Sequence, residues 1–105
     1  MIIQINTDGN IEGDQELAQQ IRARLRSSLE HVSERITRLE VHLSDENSDK
    51  KFGTEDKRCL LEARLAGLQP IAVSDQAATV DEAVDGAVGK LVRSIDTILG
   101  RLGKR

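Results

Sequence analysis

Aromatic side chains are almost absent from this chain. It contains no tryptophan or tyrosine, and Phe52 is the only aromatic residue among its 105 residues. Any hydrophobic core must therefore be aliphatic. Proteins that read single-stranded nucleic acids by sequence stack the bases on Phe, Tyr or Trp, and one phenylalanine in a polar stretch cannot supply such a platform. Nucleic-acid binding by this chain would instead depend on phosphates, 2′-hydroxyls and shape.

Cysteine is equally scarce. The single Cys59 cannot form an internal disulfide, which favours a reducing, cytoplasmic compartment. It falls on the inward phase of a predicted strand, which predicts a buried, inert thiol. No His-His or Cys-Cys spacing suits zinc, and no glycine-rich phosphate loop or nucleophile–base set is present. The sequence therefore predicts no metal, no cofactor, no small-molecule substrate and no enzymatic activity.

Long apolar runs are also missing. Hydrophobic residues make up 38% of the chain and charged residues 31%, and no apolar run approaches the roughly 18 residues that a membrane span needs. The N-terminus lacks the basic and apolar regions of a signal peptide. We expect one soluble domain over residues 1–105, with no membrane contact. Because the net charge is −3, a polyanionic partner would have to be met by a local basic patch.

Hydrophobic periodicity predicts an α+β domain in the order β-α-β-β-β-α. The predicted strands cover residues 1–6, 36–44, 57–66 and 69–74, and the predicted helices cover 14–33 and 79–102. Asp14 is the expected N-cap of the first helix, and Thr79 with Glu82 forms a capping box at the second. The expected core combines residues of both helices and all four strands: Ile5, Leu17, Ile21, Leu25, Leu29, Leu39, Val41, Leu61, Ala63, Val73, Val84, Leu91, Ile95 and Ile98.

The second predicted helix has three separated faces at about 100° per residue. Its apolar stripe consists of Val84, Val88, Leu91, Ile95, Ile98 and Leu102. The acids along one flank are Asp81, Asp85 and Asp96. The cations opposite the apolar stripe are Lys90, Arg93, Arg101 and Lys104, followed by Arg105. Because a solvated helix face usually mixes its signs, the separation of cations from acids favours contact with a polyanion.

Six basic residues are the candidate phosphate contacts: Lys90, Arg93, Arg101 and Lys104 on the second helix, with Arg22 and Arg26 on the first. Arg22 and Arg26 lie one turn apart and face away from the apolar stripe of their helix, whereas Arg24 lies on the opposite flank. For each group the alternative interpretation is a solvated, solubilising surface.

Two further features lead to expectations. Residues 45–56 hold five acids between two strands, which predicts a mobile loop that does not contact RNA phosphates. Gly86 and Gly89 weaken the second helix relative to alanine, and we interpret them as points of close approach to a neighbour that the sequence does not identify.

Three stretches resemble the short ribosome hibernation-promoting factors, also called ribosome-associated inhibitors. In the second helix an Ala-Val-Asp sequence at 83–85 precedes Lys-Leu-Val-Arg at 90–93. The strand Leu-Glu-Val-His-Leu occupies 39–43, and Cys-Leu-Leu-Glu-Ala-Arg at 59–64 stands where that family has its central strand. These stretches follow the family's order and spacing over nearly the whole chain.

The resemblance implies a four-stranded sheet with both helices packed on one face, like a double-stranded-RNA-binding domain. It implies a non-enzymatic protein that binds the small ribosomal subunit in the mRNA and tRNA channel and silences translation under stress or in stationary phase, with Lys90 and Arg93 as its basic pair. The chain is too short for the C-terminal dimerising domain of longer members, so a monomer is expected when free. The rival hypothesis is a protein-interaction module that regulates a transcription or stress-response partner.

Overall fold

A computed structural model describes residues 1–8, 15–45 and 57–103. These residues form the elements in the predicted order: β1 (Ile2–Thr7), α1 (Gln15–Ser28), β2 (Ile36–Asp45), β3 (Lys57–Leu65), β4 (Ile71–Ala77) and α2 (Val80–Gly103). The expected N-cap Asp14, most of the acidic loop and Lys104 lie outside the described residues. Among the described residues, no helix is both long and apolar enough to cross a bilayer.

The four strands form one mixed sheet in the order β1-β2-β3-β4. β1 runs parallel to β2, and the other two pairs are antiparallel. A parallel pair needs a crossover connection rather than a tight turn, and α1 supplies it. The register aligns Ile3 with Leu39 and Leu39 with Ala63, so these three aliphatic side chains form a row on one face.

The core lies between that face and the two helices. Its buried members include Ile21, Leu25 and Leu29 from the first helical region, and Leu91 and Ile95 from α2. They form one cluster with the inward side chains of the sheet, which confirms that both helices pack on the same face. No polar or charged side chain is buried in the described part of the chain. The core is therefore aliphatic, as the composition requires.

The first helix ends earlier than predicted. α1 stops at Ser28, and Glu30–Val32 continues as a 3-10 turn rather than as α-helix to position 33. Leu29 leaves the helical region at φ −107° and ψ 13°, and the Val32 amide donates to its carbonyl at 3.0 Å. Both Leu29 and Val32 stay buried in the tighter turn, because side chains at i and i+3 also lie on one side of a 3-10 turn.

The fourth strand is displaced from its predicted position. It runs from Ile71 to Ala77 rather than over 69–74, because Pro70 precedes the strand and pairing with β3 continues to Lys57 opposite Ala77. The turn before it contains Gly67 at φ +76°, a left-handed conformation that glycine adopts without steric cost. This position explains the short connection that the sequence predicted there.

The predicted apolar stripe of α2 is wrong at its C-terminal end. Ile98 is only half-buried and Leu102 is 50% exposed. A helix of 24 residues is about 36 Å long at 1.5 Å per residue, whereas the seven residues of β4 span about 23 Å. The last turns of α2 therefore extend past the sheet. Nearer its start, Ala83 and Ala87 are buried as well, which the predicted stripe did not include.

The N-cap predicted at the start of α2 is present, but the return bond of the capping box, from the Thr79 N–H to the Glu82 carboxylate, is absent among the described residues. The Thr79 hydroxyl accepts a hydrogen bond from the Glu82 backbone N–H at 3.1 Å, and the Ala83 N–H donates to the Thr79 carbonyl at 3.0 Å. This cap satisfies amides that the first turn leaves without helical partners. It fixes where α2 begins, and thereby the phase of every later side chain on it.

Candidate nucleic-acid interface

Three of the predicted cations lie together along one side of α2. Lys90, Arg93 and Arg101 line an open groove of about 550 Å³ between α2 and β4. The other residues that line it are Val73, Ser94, Thr97 and Ile98. We call this surface the basic groove. Its cations lie along one side of α2, with Lys90 and Arg93 one turn apart and Arg101 about two turns farther on, and its β4 wall comes from the neighbouring edge of the sheet.

The helical projection predicted Lys90 to point away from the core, but in the structure its side chain turns toward β4. Its Nζ donates to the Ser74 carbonyl at 2.8 Å and lies 3.2 Å from Asp75 Oδ1. The side chain is 47% exposed, but its charge is directed at β4. Lys90 therefore forms the inner wall of the basic groove, and Asp75 offsets its positive charge.

Asp75 occupies an inward position of β4, opposite the buried Cys59. It fits there because α2 presents Gly86 to it: a Cβ at Gly86 would overlap the Asp75 carboxylate. This confirms the predicted close approach at Gly86 and identifies the neighbour. At Gly89 the prediction is wrong, because a Cβ there would meet only Arg93 Nη1 at 3.5 Å, an ordinary van der Waals contact.

Arg93 and Arg101 are the available cations of the basic groove. Both are exposed, and no ion-pair partner for either lies within residues 1–8, 15–45 and 57–103. A guanidinium presents several N–H donors in a planar fork that matches phosphate oxygens. The groove thus combines one neutralised cation with two unneutralised ones.

The acidic flank of α2 faces the first helical region. Arg24 Nη1 lies 3.0 Å from Asp85 Oδ1, and Arg24 Nη2 lies 3.5 Å from Asp81 Oδ1. Farther along, His31 Nε2 lies 3.0 Å from Asp96 Oδ1. All three acids of the predicted flank therefore have partners on α1 or just after it. On the acidic side of α2, the separation of charge is therefore explained by ion pairs within the protein.

Arg22 and Arg26 are not part of the basic groove. They lie on α1, which packs along the acidic side of α2. Arg26 lines a separate shallow cavity of about 440 Å³ with Met1, Ser27, Glu30 and Ser33. The six predicted contacts are therefore divided into three that share a groove, two on another surface, and Lys104, which is outside the described residues.

The family model for sigma 54 modulation protein / S30EA ribosomal protein matches residues 3–102. The chain belongs to this family. Membership confirms the resemblance drawn from the sequence and makes the chain a ribosome-associated protein rather than an enzyme. No significant match was found among curated protein sequences.

Solved structures agree with this S30EA-family fold. A ribosomal subunit interface protein from Coxiella burnetii superposes with a TM-score of 0.77 at 15% identity, over 95% of this chain and 99% of that one. The N-terminal domain of Protein Y from Thermus thermophilus gives a TM-score of 0.72 at 20% identity, covering 93% and 99%. At these identities the likeness establishes the fold alone, and it confirms the predicted β-α-β-β-β-α arrangement.

Cys59 offers this S30EA-family domain no chemistry in its folded state. The thiol is buried in β3, and burial, followed by the charge of Asp75, raises its pKa to about 12. A thiol with so high a pKa is protonated near neutral pH and is therefore a poor nucleophile. The predicted burial of Cys59 is confirmed.

The open face of the sheet carries a polar network that the sequence did not reveal. Arg38 Nε donates to Glu40 Oε2 at 2.9 Å, and this hydrogen bond is the main reason why the pKa of Glu40 lies below its usual range. His42 Nε2 lies 3.1 Å from Glu62 Oε1. Glu40 and Glu62 are paired across β2 and β3. Spacing along the chain cannot show this pairing, because it depends on the register of two strands.

Proposed function

We propose that the protein binds the RNA of the small ribosomal subunit through the basic groove, blocks the mRNA and tRNA channel, and so inhibits translation or promotes ribosome hibernation. The observation that carries this proposal is the pair Arg93 and Arg101, which are exposed on one groove without an ion-pair partner among the described residues. Family membership supports ribosome association, and the groove supplies the surface for it.

The chemistry of the groove suits RNA recognised by its backbone. Two guanidinium groups in a chain of net charge −3 form a local positive patch that can contact phosphates. The described residues provide no Phe, Tyr or Trp ring on which a base could stack. Recognition would therefore follow phosphates and shape, which is the form of RNA that a folded ribosomal groove presents.

The mode of action rests on occupancy. A folded domain in the channel would exclude messenger and transfer RNA by its volume, without chemistry. This requires a protein that acts in the cytoplasm, and a single domain that is monomeric when free is sufficient. Stress or stationary phase is the condition under which such inhibition would be useful to the cell.

Co-sedimentation with isolated small subunits tests the proposal. The wild type should bind at low salt and dissociate as salt is raised, because counterions are released from each contacted phosphate. The double variant R93E/R101E should remain folded by circular dichroism, since both side chains are exposed. It should nevertheless lose most of its binding, because it places two anions beside a polyanion.

The matched control is R22E/R26E, which makes the same change of charge on α1, outside the groove. We expect a weaker loss for this pair. Unchanged binding of folded R93E/R101E would remove the basic groove from the interface. Absence of wild-type binding at every salt concentration would contradict the proposed function and favour the rival protein-interaction module.

A further inference from the structure

We propose a binding site for a divalent transition metal, best matched by Zn²⁺, on the open face of the sheet at Glu40, His42 and Glu62. The site faces away from both helices and from the basic groove. One ligand atom from each of the three residues lies within 4.8 Å of the other two. Two carboxylates and one imidazole are ligands that Zn²⁺ accepts.

The strand register creates the site. Glu40 of β2 lies directly opposite Glu62 of β3, and both side chains point to the face without helices. Like charges in directly opposite positions of a sheet destabilise it. A cation between the two carboxylates would remove that repulsion, and His42, two residues beyond Glu40 on the same face, supplies a third ligand.

The two distances from His42 are close to those of a tetrahedral centre. His42 Nε2 lies 3.1 Å from Glu62 Oε1 and 3.5 Å from Glu40 Oε1. In a tetrahedral zinc site with bonds of about 2.0–2.1 Å, neighbouring ligand atoms are about 3.4 Å apart. Both distances from His42 are close to that edge length, and the ligand oxygens of Glu40 and Glu62 lie within 4.8 Å of each other, so side-chain rotation can bring all three onto one ion. Solvent can provide the fourth ligand, because all three side chains are partly exposed.

An outer set of hydrogen bonds already orients one ligand. Arg38 Nε donates to Glu40 Oε2 at 2.9 Å, which leaves Glu40 Oε1 directed toward His42. The Arg38 guanidinium is itself held by the Gln4 side chain. Metal-binding carboxylates commonly have such partners, which fix the orientation of the side chain. Because Arg38 also offsets one negative charge, we expect moderate rather than tight affinity.

The other histidine provides a matched control. His31 lies 3.0 Å from Asp96, so it also pairs with a carboxylate, but the described residues place no second acid within reach of that pair. A metal that merely recognised an exposed histidine beside an acid would bind both places. A metal that needs three ligands would bind only at His42.

Zinc titration by isothermal calorimetry, with thermal unfolding as a second readout, tests the site. Wild type and H31Q should each bind one equivalent of Zn²⁺ and show a higher Tm with the metal. H42Q and E62Q should lose at least about tenfold in affinity, since even outer-shell changes cost 10–100-fold. H42Q retains an amide that can donate to Glu62, so it should fold.

No zinc binding by the wild type would overturn the proposal and leave His42 as a hydrogen-bond bridge between two glutamates. Wild-type affinity in H42Q and E62Q would place the metal elsewhere and overturn it equally. Neither result bears on ribosome binding, which R93E/R101E tests separately.

Discussion

The two flanks of α2 carry opposite charges and have opposite relations to the rest of the molecule. On the acidic flank, Asp81 and Asp85 share Arg24, and Asp96 pairs with His31. On the basic flank only Lys90 has a carboxylate partner, Asp75, while Arg93 and Arg101 have none among the described residues. The acidic flank therefore forms contacts within the protein. The basic flank is a surface on which two arginines are available to bind an external partner.

This difference changes how separated charges on a helix should be interpreted. The acids are explained by folding, because they pair with Arg24 on α1 and with His31 in the 3-10 turn that follows it. Lys90 is explained in the same way, by Asp75. Among the described cations of α2, Arg93 and Arg101 remain for an external partner. Charge separation alone overstates a binding site, and the residues left without an internal partner define it more narrowly.

The largest predicted effect tests which side of α2 faces the core. Leu91 is fully buried, and L91A should lower the free energy of unfolding by about 2–5 kcal/mol. The control L102A, at a position that is 50% exposed, should change it by less than about 0.5 kcal/mol. Urea denaturation followed by circular dichroism measures both. Equal effects would mean that the two flanks are assigned to the wrong sides of the helix.

The next prediction concerns Cys59, which lies opposite Asp75. Burial, followed by the charge of Asp75, raises the pKa of its thiol from an ordinary value of 9.0 to about 12. Between these pH values the thiolate forms only in the unfolded chain. The stabilisation from the protonated native thiol is therefore complete below pH 9 and is lost as pH rises toward 12. The stability difference between wild type and C59A should shrink over this window in pH-dependent denaturation. A difference independent of pH would contradict the raised pKa.

A smaller effect is expected from the two glycines on the basic flank. G89A should stabilise the protein by up to about 1 kcal/mol through helix propensity, because the added methyl meets only an ordinary contact. G86A gains the same propensity, but it must displace the Asp75 carboxylate and separate it from Lys90. It should therefore be less stable than G89A in thermal unfolding. Equal stabilities would show that Asp75 moves aside without cost.

The smallest effect concerns the acidic flank. R24Q removes the contacts to Asp81 and Asp85 and should cost about 0.5–1 kcal/mol, because pairs this exposed contribute little. The cost should decrease in high salt, which screens exposed charges. R26Q, which removes an exposed arginine with no ion pair in the described part of the chain, is the control. Small-subunit binding should be unchanged by R24Q, and a loss would extend the interface to this flank.

Local sequence patterns predicted the helices and strands of this fold, but they could not predict the contacts between those elements. The alternation of Leu39, Val41 and Leu43 and the cap at Thr79 determine structure within a few residues, so both were predicted correctly. The partner of Lys90 and the pairing of Glu40 with Glu62 depend on how β4 and β3 align with their neighbours. The exposure of Leu102 depends on where the sheet ends beneath α2, which helical periodicity does not encode.

The edge strand β1 has a consequence for how the domain opens. Ile2, at its start, pairs with Arg38 across the whole α1 connection and is itself 60% exposed, whereas β2, β3 and β4 join consecutive neighbours. Closing so long a connection carries a larger entropy cost, and β1 is hydrogen-bonded on one side only. Its amides should therefore exchange with solvent through partial opening, before those of β3. Since β1 and β4 are opposite edges of the sheet, the basic groove would stay intact while β1 detaches.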